Sequence, residues 1–190
     1  MPACVRFKGW LAWLVLLCLV SPPLWADCCS ASVKNAELIR HGQSYLLNAE
    51  VNYQLSAKAL EALQNGVPLF WEIEMQIRQP RAFLWAKTVA QAQIRYRLQY
   101  HALLNLYRVD NESAGVVANV SSLAAAFDLM ANVTNFHLTD NADFVPTPDT
   151  VAAIKVVFDR NALPLPLRPV AYLNQQWYLS SDWSLWPLKN

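Results

Sequence analysis

Apolar and polar side chains alternate cleanly over residues 45–55. Tyr45, Leu47, Ala49, Val51, Tyr53 and Leu55 fall on one side. Leu46, Asn48, Glu50, Asn52 and Gln54 fall on the other. A period of two is the signature of a half-buried strand. Upstream, Leu38-Ile39-Arg40-His41-Gly42-Gln43-Ser44-Tyr45 reads as strand, tight turn, strand. Gly42 supplies the positive φ that a hairpin turn demands. Ser56 then offers a hydroxyl to the free N–H groups of a first helical turn. A short helix is predicted over 57–64, ended by Asn65-Gly66.

The strongest alternation runs from Val67 to Tyr100. Trp71, Ile73, Met75 and Ile77 interleave with Glu72, Glu74, Gln76 and Arg78. Ala92, Ile94, Tyr96 and Leu98 interleave with Gln93, Arg95, Arg97 and Gln99. Pairing the two strands antiparallel about Leu84-Trp85 sets Glu72 opposite Arg97 and Glu74 opposite Arg95. The same register sets Ile73 opposite Tyr96 and Met75 opposite Ile94. Cross-strand charge pairs contribute roughly 0.2–1 kcal/mol each, so they help to select a register without holding the fold.

Further strands are expected at 103–109, after a turn near His101-Ala102, and at 115–120. A second helix, capped by Ser121 or Ser122, should run to about Ala131, with Leu123, Phe127 and Met130 on its buried stripe. Residues 140–150, with Pro146 and Pro148, read as loop. Residues 151–158 read as an apolar strand, and 159–163 as a single helical turn. Pro164, Pro166 and Pro169 predict extended backbone. Residues 170–173 and 177–186 close the chain as strand-like, aromatic-rich segments. The fold class is therefore mainly β: an antiparallel β-sandwich or curved sheet with two short helices.

The first 26 residues stand apart. Arg6 and Lys8 precede an unbroken apolar run from Trp10 to Val20. Ser21-Pro22-Pro23 follows, and Leu24-Trp25-Ala26 offers a cut before Asp27. This is the layout of a signal peptide. The run is short against the ~20 residues that span a hydrocarbon core, which disfavours the alternative of an uncleaved anchor. A lipoprotein is disfavoured too, because Asp27 stands where a small residue should precede Cys28. The expected location is the periplasm or cell envelope, membrane-anchored if the segment is retained. Residues 27–190 form one domain.

All 14 acidic residues and 13 of the 15 basic ones follow residue 26, leaving a formal net charge of −1. Nucleic-acid binding by counterion release wants a basic surplus, so no nucleic-acid partner is implied, and membrane contact is expected only through the precursor segment. Cys28 and Cys29 form neither a C-x-x-C motif nor a spaced disulfide framework.

Candidate chemistry is sparse. Glu72 and Glu74 share a strand face and could work as an acid–base pair, or form a solvated face balanced by Arg95 and Arg97. His41, His101 and His137 lie far apart in sequence with no metal-binding spacing. Ser180-Ser181-Asp182 lacks a nucleophile elbow. Only Gly42, Gly66 and Gly115 follow residue 26, too few for a phosphate-cradling loop. No catalytic residue, metal site or cofactor is assigned. Arg78 and Arg81, beside Pro80, read as paired or solvated, or as anion-binding. The aromatics give the candidate binding residues. Phe83, Leu84 and Trp85 fall at the proposed hairpin tip, where an apolar cluster can mark a contact surface. Trp177, Trp183 and Trp186, with Tyr178, either complete the core or form a stacking platform.

Six segments together carry a family resemblance. They are Lys34-Asn35-Ala36-Glu37-Leu38, the stretch from Leu55-Ser56 to Asn65-Gly66-Val67-Pro68-Leu69, and Arg78-Gln79-Pro80-Arg81. The others are Tyr96-Arg97-Leu98-Gln99-Tyr100-His101-Ala102-Leu103, Leu163-Pro164-Leu165-Pro166-Leu167-Arg168 and Ser180-Ser181-Asp182-Trp183. In order and spacing the chain resembles DUF4390, a domain of unknown function in exported proteobacterial proteins. The resemblance spans 33–188 and implies no activity. It implies at most an envelope partner, a membrane sensor kinase being one, since genes of the family often neighbour one. After Ala102 the chain departs from the usual polar pattern with Leu103, Leu104 and Leu106. The expected role is a non-enzymatic protein- or glycan-interaction module. The alternatives are a hydrolase of an envelope polymer and a carrier of an apolar ligand.

Overall fold

The structure, a computed structural model, describes residues 30–41, 44–81, 84–139 and 147–187. The predicted signal segment and the residues proposed to form the hairpin turn at Gly42 lie outside these.

Among the described residues nine strands form two antiparallel sheets. The smaller contains β1 (Ser32–His41), β2 (Ser44–Asn52) and β7 (Asn132–Thr139), in the order β1-β2-β7. The larger contains β3 (Leu69–Arg81), β4 (Leu84–His101), β5 (Leu106–Asn111), β6 (Val116–Val120), β8 (Val151–Phe158) and β9 (Ser184–Pro187). Its order is β6-β5-β4-β3-β8-β9. Three α-helices complete the described elements: α1 (Ala57–Gln64), α2 (Leu123–Ala131) and α3 (Arg168–Leu173). Among the described residues no helix is long and apolar enough to cross a membrane.

The alternating strands bury the side that their period predicts. Tyr45, Leu47, Ala49, Val51 and Tyr53 are buried on the smaller sheet. Leu69, Trp71, Ile73, Met75 and Ile77 are buried on β3. These two apolar faces share one core with Leu98, Met130, Ile154 and Val156. A line of aromatic contacts runs through it. Phe127 stacks on Tyr53 at 5.8 Å, Tyr53 meets Trp71 edge-on at 5.7 Å, and Trp71 meets Phe158 at 5.2 Å. Phe158 stacks on Trp177 at 6.1 Å. Such pairs contribute about 0.5–1.5 kcal/mol beyond their buried area. They tie α2, β3, β8 and the 3₁₀ turn Gln175–Trp177 together.

Helix α1 occupies the predicted span. The Ser56 hydroxyl accepts from the Ala59 N–H at 3.1 Å, and Gly66 takes φ +82° just past the C-cap. Ser122 caps α2 in the same way, through the Ala125 N–H.

Several expectations need correction. Arg81 pairs with Leu84, so the β3–β4 register does not centre on Leu84-Trp85, and two bulges each place an extra residue in β4. Glu72 therefore faces Arg95, Ile73 faces Ile94 and Met75 faces Ala92. The slip is two residues, so every side chain keeps its predicted face. The turn after β4 extends over Ala102–Asn105, leaving Leu103 and Leu104 exposed, and β5 begins only at Leu106. β7 lies in a stretch where no strand was expected.

Among the described residues a third α-helix appears, because 168–173 coils instead of extending. Pro169 sits in the first turn of α3, where a missing N–H costs nothing. The Arg168 guanidinium donates to the Leu163 carbonyl at 2.7 Å and anchors that entry. The closing strand is short. Residues 178–183 run beside β8 through serine hydroxyls. Ser181 accepts from the Val156 N–H and Ser180 from the Phe158 N–H, at 2.8 and 2.9 Å.

Candidate functional site

Even-numbered residues of β3 point away from the core and form, with β4 and β8, an outer polar face. Its cross-strand rows are Phe70–Arg97, Glu72–Arg95, Glu74–Gln93 and Gln76–Gln91 toward β4. Toward β8 they are Glu72–Val157, Glu74–Lys155 and Gln76–Ala153. Alternation places these groups in rows, and strand pairing chooses the neighbours.

One end of this face is closed by charge pairing. Arg95 bonds Glu72, and it also reaches Glu112 at 3.0 Å and Asp159 at 2.9 Å. Its guanidinium lies 5.0 Å from the centre of the Phe70 ring. Burial works against the charged guanidinium, but Asp159 and Glu72 outweigh it and raise its pKa above the ordinary value. Beside it Arg97 pairs with Asp110 at 2.9 Å, not with Glu72 as the sequence register had it. With Glu72 committed to Arg95, the alternative acid–base reading of Glu72 and Glu74 loses one of its members.

The other end is open. Glu74, Gln76, Gln91 and Gln93 line a depression of about 330 Å³. Among the described residues, no side-chain hydrogen bond or ion pair within the protein engages Glu74, Gln91 or Gln93. Gln76 accepts from the Arg78 Nε at 2.8 Å, and the Arg78 guanidinium packs 4.1 Å from the centre of the Trp183 ring. Lys155 approaches the same ring at 5.9 Å. Two cations thus lie over one indole, and Arg78 links that indole to Gln76 at the edge of the depression. Such an arrangement can donate and accept hydrogen bonds along a polar chain while stacking one apolar face.

The three tryptophans proposed as a platform separate. Trp177 is only 3% exposed, within the core against Phe158. Trp186 is half-buried in β9 against the core. Trp183 alone joins the outer face beside Arg78. Of the two readings given to Trp177 and Trp186, the core holds for the first and for most of the second, so neither forms a platform with Trp183. Phe83 lies outside the described residues. Leu84 opens β4 opposite Arg81, and the side chains of Leu84 and Trp85 lie outside the described residues. Residues 29–187 match the family described as Domain of unknown function (DUF4390). The chain belongs to the DUF4390 family. No curated protein and no solved structure matches it.

A second feature of this DUF4390 domain escaped sequence reasoning. Arg160 lies between two tyrosines, 4.5 Å from the Tyr172 ring centre and 4.7 Å from that of Tyr178. Tyr172 also donates to the Asn161 side chain at 2.6 Å. Arg160, Asn161 and Tyr172 flank a hollow of about 430 Å³ that also borders Glu72 and Asp159. Reading 170–173 as a strand hid it, because only a helix there returns Tyr172 to Arg160. The amide depression was legible as an alternation of Glu and Gln, but no motif marked it as a site. Among the described residues, no group of three His, Cys, Asp or Glu side chains is arranged to hold a metal ion.

Proposed function

We propose that this DUF4390 protein is a non-enzymatic interaction module of the cell envelope. It is exported by its N-terminal segment and holds a polar, chain-like partner, protein or glycan, on the outer face of its larger sheet. The observation that carries this reading is the depression lined by Glu74, Gln76, Gln91 and Gln93, which Gln76 joins through Arg78 to the Trp183 ring. Among the described residues Glu74, Gln91 and Gln93 have no side-chain partner and are available to a ligand, and an indole adds stacking surface. A membrane sensor kinase is the protein partner that the family resemblance brings forward.

The hydrolase alternative gains no support from Glu72, which is held by Arg95. The carrier alternative requires space between the sheets, and fully buried Trp71, Ile73, Met75 and Ile154 occupy that region.

Photo-cross-linking in the native host tests the proposal. A photoreactive residue replacing Gln91 or Gln93 should capture one dominant envelope partner. The same residue at exposed Lys58 on α1 should not. The Gln91→Ala/Gln93→Ala variant should lose that partner while its thermal midpoint stays unchanged. Equal capture from all three positions, or retention by the double variant, would overturn the proposal.

A further inference from the structure

Every free strand edge presents unpaired N–H and C=O groups, and proteins usually guard such edges with charge, proline or a bulge. In the described fold three edge strands are guarded. β1 carries Lys34, Glu37 and a register shift. β7 pairs irregularly with β2 and contains Asn135 at φ +50°. β9 ends in Pro187. The fourth edge strand, β6, has none of these. Its sequence is Val116-Val117-Ala118-Asn119-Val120, and no charged residue occurs from Ser113 to Phe127. Val116 is 60% and Val117 45% exposed. Among the described residues β6 pairs with β5 alone.

We propose that β6 pairs antiparallel, about a two-fold axis, with β6 of a second copy of this chain. An edge of unpaired backbone groups is satisfied by another strand, and the composition of this one makes its own sequence a fitting partner. With Ala118 on the axis, Val116 meets Val120 of the partner subunit, and Val117 meets Asn119 of the partner subunit. Next along, Gly115 meets Ser121 of the partner subunit. The small alanine lies where the two chains are identical and closest. No charge meets a like charge, which would disfavour the pairing. The contact is isologous and closes after two copies. It joins the two larger sheets edge to edge and leaves the amide depression between β3 and β4 open. A single strand pair of this length buries less than a standard stable interface, so the dimer forms at micromolar protein rather than nanomolar.

Site-specific oxidation of the full chain in mild detergent tests this pairing, with Cys4, Cys18, Cys28 and Cys29 replaced by serine. Ala118→Cys should form a disulfide-linked dimer quickly, because residue 118 faces its own copy. Asn119→Cys should cross-link far more slowly, because it faces position 117. Adding Val117→Lys to Ala118→Cys should abolish the covalent dimer. In sedimentation velocity Val117→Lys alone should raise the dimer dissociation constant by at least about tenfold. Val117 is exposed, so the thermal midpoint of Val117→Lys should hold. Asn119→Lys on the same edge provides a second variant if Val117→Lys fails to fold. Equal cross-linking at 118 and 119, a dimer that survives both lysine variants, or a monomer at tens of micromolar would overturn the proposal. Heterodimer formation with another protein in place of self-association would overturn it too.

Discussion

Tyr53 shows how one residue couples packing to protonation. It follows β2, packs between Trp71 and Phe127, and directs its hydroxyl to the Met130 carbonyl at 3.5 Å. Burial pushes its pKa well above the ordinary 10.0, and neighbouring Tyr96 adds to the shift. Burial also raises Tyr96, opposed by its hydrogen bond with Asn111. The native state keeps both protons where the unfolded chain gives them up, near pH ~10. Stability is therefore unaffected below that value and falls as pH rises through it. Thermal midpoints measured from pH 8 to 12 should be level at first and then decline. Tyr53→Phe should flatten the decline. An unchanged slope in that variant would assign alkaline unfolding to other groups.

At the scale of elements, end signals decided more than propensity did. Ser56 is only 3% exposed, and its hydroxyl caps α1. Ser56→Ala should cost about 1–2 kcal/mol in urea unfolding, since it also leaves a buried N–H without a partner. Ser122→Ala, at an exposed cap on α2, should cost less, and the reverse order would contradict this account of the caps. Both caps were readable because a serine before an apolar run has a local physical meaning. The helix at 168–173 was not readable in the same way. Proline there is compatible with either extended backbone or a first helical turn. The Arg168 bond to Leu163 and the burial of Ala171 select the second.

At the scale of the whole molecule, stability resides in the joint between the sheets. Ile73 is fully buried at the middle of β3, with neighbours Ile94 and Val156 in its row. Ile73→Ala should destabilise the domain by about 2–5 kcal/mol, read as a fall in thermal or denaturant midpoint. A loss below 1 kcal/mol would mean that the core collapses around the gap. The exposed Leu103 and Leu104 lie in a turn outside this joint, although they are as apolar as the core. Hydrophobicity told which residues had a reason to be buried, and topology told which of them had somewhere to go.

The sequence by itself determined the faces of the strands, the two capped helices and the mainly antiparallel β class. Each follows from a local period or an end signal within a few residues. It also identified the paired polar rows of β3 and β4, though not which row meets which. A two-residue slip leaves every face unchanged, so only the Arg81–Leu84 pairing and the bulges in β4 settle that Arg95 meets Glu72. Tertiary structure alone brought Asp159 and Glu112 to Arg95, and Tyr172 and Tyr178 to Arg160. It also withdrew Trp177 into the core while leaving Trp183 beside Arg78. These neighbours are remote in sequence, and no local period encodes their meeting. They are chosen by how the sheets and the segment after β8 fill the same space.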